Sequence, residues 1–374
     1  MCIRDRRLFI TGVSPVTMDD VTSGFNIGTN ITNDSWFNDL VGFSENELRE
    51  MLEYYKEQGV LQESIDEIVA MMKPNYDNYC FSEDTLEQCM FNSDMALYFL
   101  KSFVLHHKKP KEIVDPNIRT DFNKLAYLIK LDHGLGENFS VIKEIAEQGE
   151  IITDIVTHFS ALEMTDPSNF KSLLFYFGLL SIKGVDMVGR PILHVPNLVV
   201  REQLFNFLIQ GYIKHDIFKI DMNKMSALFE NMAFRGDWKP LFDFIANAVR
   251  EQSRIREYIE GEAHIKGFLL AYLGMYRYYQ LYPEYELNKG FADFFFKPSL
   301  SVPVLPPFTY LLEVKYAKAG ASEKEIRALA DEAREQLLRY SEDELVAEAK
   351  AKGELKLITI CLLYTSPSPR DGAT

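Results

Sequence analysis

The sequence predicts a multidomain α/β protein in which a long, mostly helical region precedes a small mixed-sheet domain at residues 251–360. Three observations lead there. Residues 310–316, YLLEVKY, place Tyr310, Leu311, Leu312, Val314 and Tyr316 in a run that suits a buried strand. Around this run the patterns read helix, hairpin, strand, helix, strand, which is the order of a small mixed sheet with helices against it. Between residues 44 and 165 the apolar residues recur at helical spacing instead.

A chain of 374 residues is long enough for two or three cores. At 47% hydrophobic and 25% charged residues, it has the composition of an ordinary soluble globular protein. No apolar run reaches the ~18 to 20 residues of a membrane span, so no membrane partner is expected. The net charge of -15 argues against capture of nucleic acid over the whole surface, though not against a local cationic groove. Cys2, Cys80, Cys89 and Cys361 form no CxxC pair, which disfavours a disulfide framework or structural zinc site and makes a reducing cytoplasm the default location.

The two ends stand apart. MCIRD at residues 1–5 and CLLYTSPSPRD at residues 361–371 have no periodicity, and each matches what a transposon end used in sequencing-library preparation would encode. Residues 1–6 and 361–374 are therefore expected to be non-native, and the remainder an internal fragment of a longer gene.

In chain order, RLFITGV at residues 7–13 reads as a buried strand running into a loop at Ser14 and Pro15. The Thr-, Gly- and Asn-rich stretch up to residue 32 reads as a surface connection, with a nucleotide-sensing segment as its functional alternative. Ser44 and Glu47 form a capping box for a helix bearing Leu48, Met51, Leu52 and Tyr55 on one face. Further core stripes follow at Ile65, Ile68, Val69 and Met72, at Met95, Leu97, Tyr98 and Leu100, and at Leu125, Leu128 and Ile129. His106 and His107 beside two lysines read as a solvated helix end. Residues 169–210 give helix, strand, hairpin, strand, helix, the order of a winged-helix-like module. Its hairpin offers only Lys183, Asp186 and Arg190, so an interaction or spacer role is expected, and His194 reads as a core histidine.

After helices over residues 212–260 the composition changes. Glu262 starts a helix with Ile265, Phe268, Leu269 and Leu273 on its apolar positions, and YELNKGFADFFF at residues 285–296 reads as a hairpin turning near Gly290. A proline-rich loop leads to YLLEVKY. Ser322 and Glu325 cap a helix lined by Ile326, Leu329, Ala330, Ala333 and Leu337, with Gln336 and Tyr340 one turn apart. LKLITI ends the domain at Ile360.

The chemistry lies in charges that apolar strands would ordinarily exclude. Glu313 and Lys315 share one face of YLLEVKY, and Asp293 sits in a run of phenylalanines. Two carboxylates can hold a hard cation such as Mg²⁺ or Mn²⁺ through oxygen while water completes its shell. The cation would acidify water and stabilise charge on a scissile phosphate, and Lys315 would orient the attacking hydroxide or neutralise developing charge.

Asp293 followed by Glu313-Val314-Lys315 resembles the acid and E-x-K motif of the PD-(D/E)XK nuclease superfamily. Glu262 matches that family's helical acid, and Gln336 and Tyr340 resemble the Q…Y pair on the helix after the motif. Where the family often has Gly-Arg-x-Asp, this chain has Gly290-Phe291-Ala292-Asp293. FITGVSP, SGFNIGTNIT, GFSENEL and LLFYFGLLSIKG…LHVPN resemble a bacterial family that fuses an AAA-ATPase-like domain to such a nuclease.

The resemblance implies a restriction-endonuclease-like mixed sheet at residues 251–360 and a P-loop ATPase remnant at residues 7–43. Between them lie a helical region at residues 44–168 and a winged-helix-like and helical module at residues 169–250. It also implies catalytic Asp293, Glu313 and Lys315, metal ligation by Asp293 and Glu313, support from Glu262, Gln336 and Tyr340, and a DNA or RNA substrate. No G-x-x-x-x-G-K-[ST] occurs, so ATP is expected only in a longer protein. Two other readings stay open: a non-catalytic interaction protein on a degenerate nuclease fold, and a plain strand ion pair with a turn acid.

Overall fold

The computed structural model describes residues 31–110, 113–115, 136–157, 163, 166–214, 220–251, 262–287, 290–299, 302, 304–317 and 321–363. The FITGVSP strand, the Leu125–Ile129 stripe and residues 1–30 and 364–374 lie outside them. Two compact units divide the chain: residues 1–145 with 149–201, and residues 146–148 with 202–374.

In the first unit the Ser44 capping box forms as the sequence predicts. Ser44 N donates to Glu47 Oε2 at 2.8 Å, and Glu47 N donates to Ser44 Oγ at 3.2 Å, opening α1 (Glu45–Glu57). Helix α2 (Ile65–Tyr76) and α3 (Ser93–His106) pack with α1 through Leu48, Leu52, Ile68, Met72, Phe99 and Phe103. His106 and His107 end α3 exposed to solvent, with His107 left-handed at φ 51°. Helix α4 (Glu137–Gln148) leads to β1 (Glu150–Ile152), and α5 (Pro167–Tyr176) leads to the hairpin of β2 (Ser181–Val185) and β3 (Pro191–His194). The hairpin follows the sequence pattern. Strand β1, too short to carry a period, adds a third strand in the order β1-β3-β2.

Helix α6 (Leu198–Lys214) contains the division between the units, at residues 201 and 202, well before the composition change that follows residue 260. The cause is packing: α7 (Met222–Arg235) is bonded to the C-terminal sheet. Tyr310 Oη donates to Met232 O at 2.6 Å, and Tyr279 Oη donates to Ala233 O at 3.4 Å. Helix α8 (Lys239–Glu251) follows.

The rest of the second unit realises the predicted order. Helix α9 (Glu262–Gly274) precedes the hairpin β4 (Tyr279–Leu287) and β5 (Gly290–Pro298). Next come β6 (Phe308–Ala317), α10 (Glu323–Tyr340), a short α11 (Glu344–Lys352) and β7 (Glu354–Leu363). The sheet runs β4-β5-β6-β7, antiparallel except for the parallel β6–β7 pair, so it is mixed. Strand β7 continues three residues past the expected end at Ile360, because Cys361, Leu362 and Leu363 pair with Lys315, Tyr316 and Ala317.

Strand alternation sends neighbouring residues to opposite faces. Phe295 and Leu311 pack with Leu337 and Tyr340 of α10. Phe296 and Tyr310 meet Tyr279 through edge-on rings, and Tyr279 meets Phe229 of α7. Both faces of the central strands are thus covered, which accounts for the nearly continuous apolar run of YLLEVKY. No helix among the described residues is long and apolar enough to cross a membrane.

Candidate active site

The antiparallel β5–β6 pairing runs from Phe296↔Tyr310 to Phe294↔Leu312 and stops there. One step further in that register stand Asp293 and Glu313. In place of a main-chain bond, Val314 N donates to Asp293 Oδ2 at 2.6 Å. The carboxylate therefore substitutes for the ladder where the strands part. Both acids are almost fully withdrawn from water, Asp293 at 5% and Glu313 at 4% exposure.

Each acid has a lysine. Lys315 Nζ lies 3.2 Å from Glu313 Oε1, as two residues sharing a strand face should. Lys266 Nζ, from α9, lies 2.5 Å from Asp293 Oδ1 and 3.1 Å from Glu284 Oε1. Burial raises the Asp293 pKa, and the Lys266 and Val314 hydrogen bonds pull it partway back. Burial also raises Glu313, the neighbouring Asp293 charge adds to this, and Lys315 opposes it. Lys315 is lowered by burial, but its bond to Glu313 and the charges of Glu313, Glu332 and Asp293 outweigh that and leave it raised.

Helix α10 turns Glu332, Gln336 and Tyr340 toward this region at four-residue spacing, so they share an edge. Glu332 Oε1 is 3.7 Å from Lys315 Nζ. Gln336 Oε1 is buried with no hydrogen-bond partner among the described residues. Tyr340 is raised by burial and then by the Glu313 charge. The structure thus brings Asp293, Glu313 and Lys315 together, with Tyr340 near enough to feel the Glu313 charge and Gln336 on the same helix edge. Glu262 is the first residue of α9, and its side chain lies outside the described residues.

Sequence reasoning missed Lys266, Glu284 and Glu332. Lys266 carried a signal: it is the only charge between Ile265 and Gly274. Glu284 reaches its place by a left-handed φ of 43° inside β4, which no sequence period announces.

The donor set suits a hard divalent cation. Two neighbouring carboxylates supply oxygens, and Glu313 Oε2 is buried with no hydrogen-bond partner among the described residues, leaving a lone pair to be satisfied. Among the described residues no group of three or more His, Cys, Asp or Glu is placed to hold a metal, so water would have to complete the coordination.

No curated protein and no solved structure matches this chain. A family model described as PD-(D/E)XK nuclease superfamily does match residues 260–366, so a domain of that superfamily occupies the stretch from the start of α9 through β7.

Proposed function

We propose that the domain at residues 260–366 is a metal-dependent phosphodiesterase acting on nucleic acid. The observation that carries this reading is the meeting of Asp293 and Glu313 at the end of the β5–β6 ladder, with Lys315 held 3.2 Å from Glu313. Asp293 and Glu313 would hold Mg²⁺ or Mn²⁺, which supplies Lewis acidity at the scissile phosphate. Lys315 presents a compact ammonium that orients water and offsets charge developing on one phosphate oxygen. Glu332 steadies that ammonium from α10, and Tyr340 stands on the same helix edge, within reach of the Glu313 charge.

In a longer protein we expect this domain to work with an AAA-ATPase-like part of bacterial type that binds ATP. FITGVSP and the segment around the β2–β3 hairpin, read as winged-helix-like, support that expectation.

The test incubates the full chain with DNA and with RNA in Mg²⁺ or Mn²⁺, beside Glu313→Ala and Lys315→Ala. Cleavage by the wild type that falls at least a hundredfold in both variants supports the reading. Equal cleavage in all three removes it, and no cleavage in any removes it in favour of a non-catalytic interaction protein.

A further inference from the structure

Lys266 is the site's second lysine, and no motif accounts for it. It arises from α9 and bridges two carboxylates of unlike surroundings: Asp293, buried, at 2.5 Å, and Glu284, whose side chain is 56% exposed, at 3.1 Å. The β4–β5 register that pairs Tyr285 with Ala292 and Pro283 with Phe294 places Glu284 opposite Asp293. Glu284 departs from strand geometry there, at φ 43°.

A positive side chain on Asp293 Oδ1 and a divalent cation on the same carboxylate repel each other, strongly so where water is excluded. Because Val314 N already takes Oδ2, Oδ1 is the oxygen for which the two cations contend. A buried carboxylate with no counter-charge is costly, so the metal-free site gains from the lysine. Once a divalent cation supplies that charge, the ammonium is better placed away from it. Glu284 is already within contact distance, so the transfer needs only a small shift of a flexible side chain.

We propose that Lys266 is a tethered counter-ion that competes with the divalent metal for Asp293 and passes to Glu284 when the metal binds. The proposal rests on the metal-dependent reading of this site. It makes Lys266 a positioning residue that sets the metal concentration at which the centre assembles, with Glu284 as the receiving carboxylate.

Mn²⁺ titration of the full chain by calorimetry tests it, using wild type, Lys266→Met, Glu284→Gln and Asp293→Asn. Unfolding in a chelator is followed in parallel. Lys266→Met is expected to bind Mn²⁺ roughly tenfold more tightly than wild type, the size of one lost charge contact. Glu284→Gln should bind it severalfold more weakly. Lys266→Met should also be less stable than wild type in chelator, a loss that saturating Mn²⁺ removes. Unchanged or weaker Mn²⁺ binding by Lys266→Met overturns the proposal. If wild type still binds Mn²⁺ and Asp293→Asn does not, the metal-dependent reading survives that failure. Absence of Mn²⁺ binding in all four chains overturns both.

Discussion

Asp293 Oδ2 accepts the Val314 N–H at 2.6 Å, and this bond joins β5 to β6 where their main-chain pairing has ended. The residue therefore has a structural part beside the metal-binding part we propose for it. Asp293→Asn and Asp293→Ala both delete the charge next to Lys266, but the amide oxygen of Asn can still accept from Val314. Asp293→Ala should accordingly be less stable than Asp293→Asn by about 1–3 kcal/mol, the cost of leaving a buried N–H unpaired. Urea unfolding of the two variants measures the difference, and equal midpoints would show that the strands hold together without the bond. Both variants should keep the far-UV circular dichroism of the wild type while losing metal binding.

Gly290 opens β5 at φ +138°, and a Cβ placed there would lie 2.8 Å from Tyr340 Oη. Gly290→Ala thus meets backbone strain and a collision together, and should cost about 1–3 kcal/mol. Adding Tyr340→Phe relieves the collision with the hydroxyl but not the strain, so the double variant should recover only part of the loss. A double-mutant cycle in urea resolves the two contributions; full recovery would mean that the backbone angle costs nothing.

Much of this domain was legible because its local signals agree. The capping box at Ser322 and Glu325 forms as expected, with Ser322 N donating to Glu325 Oε2 at 2.7 Å and Glu325 N donating to Ser322 Oγ at 3.3 Å. The strand period that placed Glu313 and Lys315 on one face is also the period that brings them into contact. Contacts from other elements were not legible. Nothing in strand alternation links Lys266 to Asp293, because the connection runs from a helix to a strand whose distance is set by the hairpin between them. The division inside α6 was hidden for a related reason. Composition changes after residue 260, whereas membership of the second unit follows hydrogen bonds such as that from Tyr310 to Met232.

That bond gives a direct test of how α7 is held. Tyr310 is fully buried, and its hydroxyl donates to Met232 O at 2.6 Å. Tyr310→Phe keeps the ring contacts with Tyr279 and Phe296 and removes only the hydroxyl. A loss of about 0.5–1.5 kcal/mol is expected, with faster hydrogen exchange in the last turn of α7. Unchanged exchange there would place the anchor of α7 elsewhere, for example at Tyr279 and Ala233.

The first unit should carry its own acid sensitivity through His194. This side chain is partly buried in β3, opposite Glu150 of β1 and Ser181 of β2. Burial lowers its pKa from 6.5 to about 4; the positive charges of Lys183 and Arg201 push the same way, and Glu150 opposes them. Above pH 6.5 neither the folded nor the unfolded chain protonates it, and the fold keeps its full stability. As pH falls from 6.5 the unfolded chain binds the proton first, so stability is lost until about pH 4, where the folded form binds it too and the loss levels off. With allowance for partial exposure the loss is on the order of 2 kcal/mol. His194→Gln cannot take up the proton, so it should lose that much less between pH 6.5 and pH 4 than wild type. Hydrogen exchange of the β2–β3 amides at the two pH values, corrected for intrinsic rates, reads the difference. Parallel losses in the two proteins would assign the acid sensitivity to the carboxylates instead.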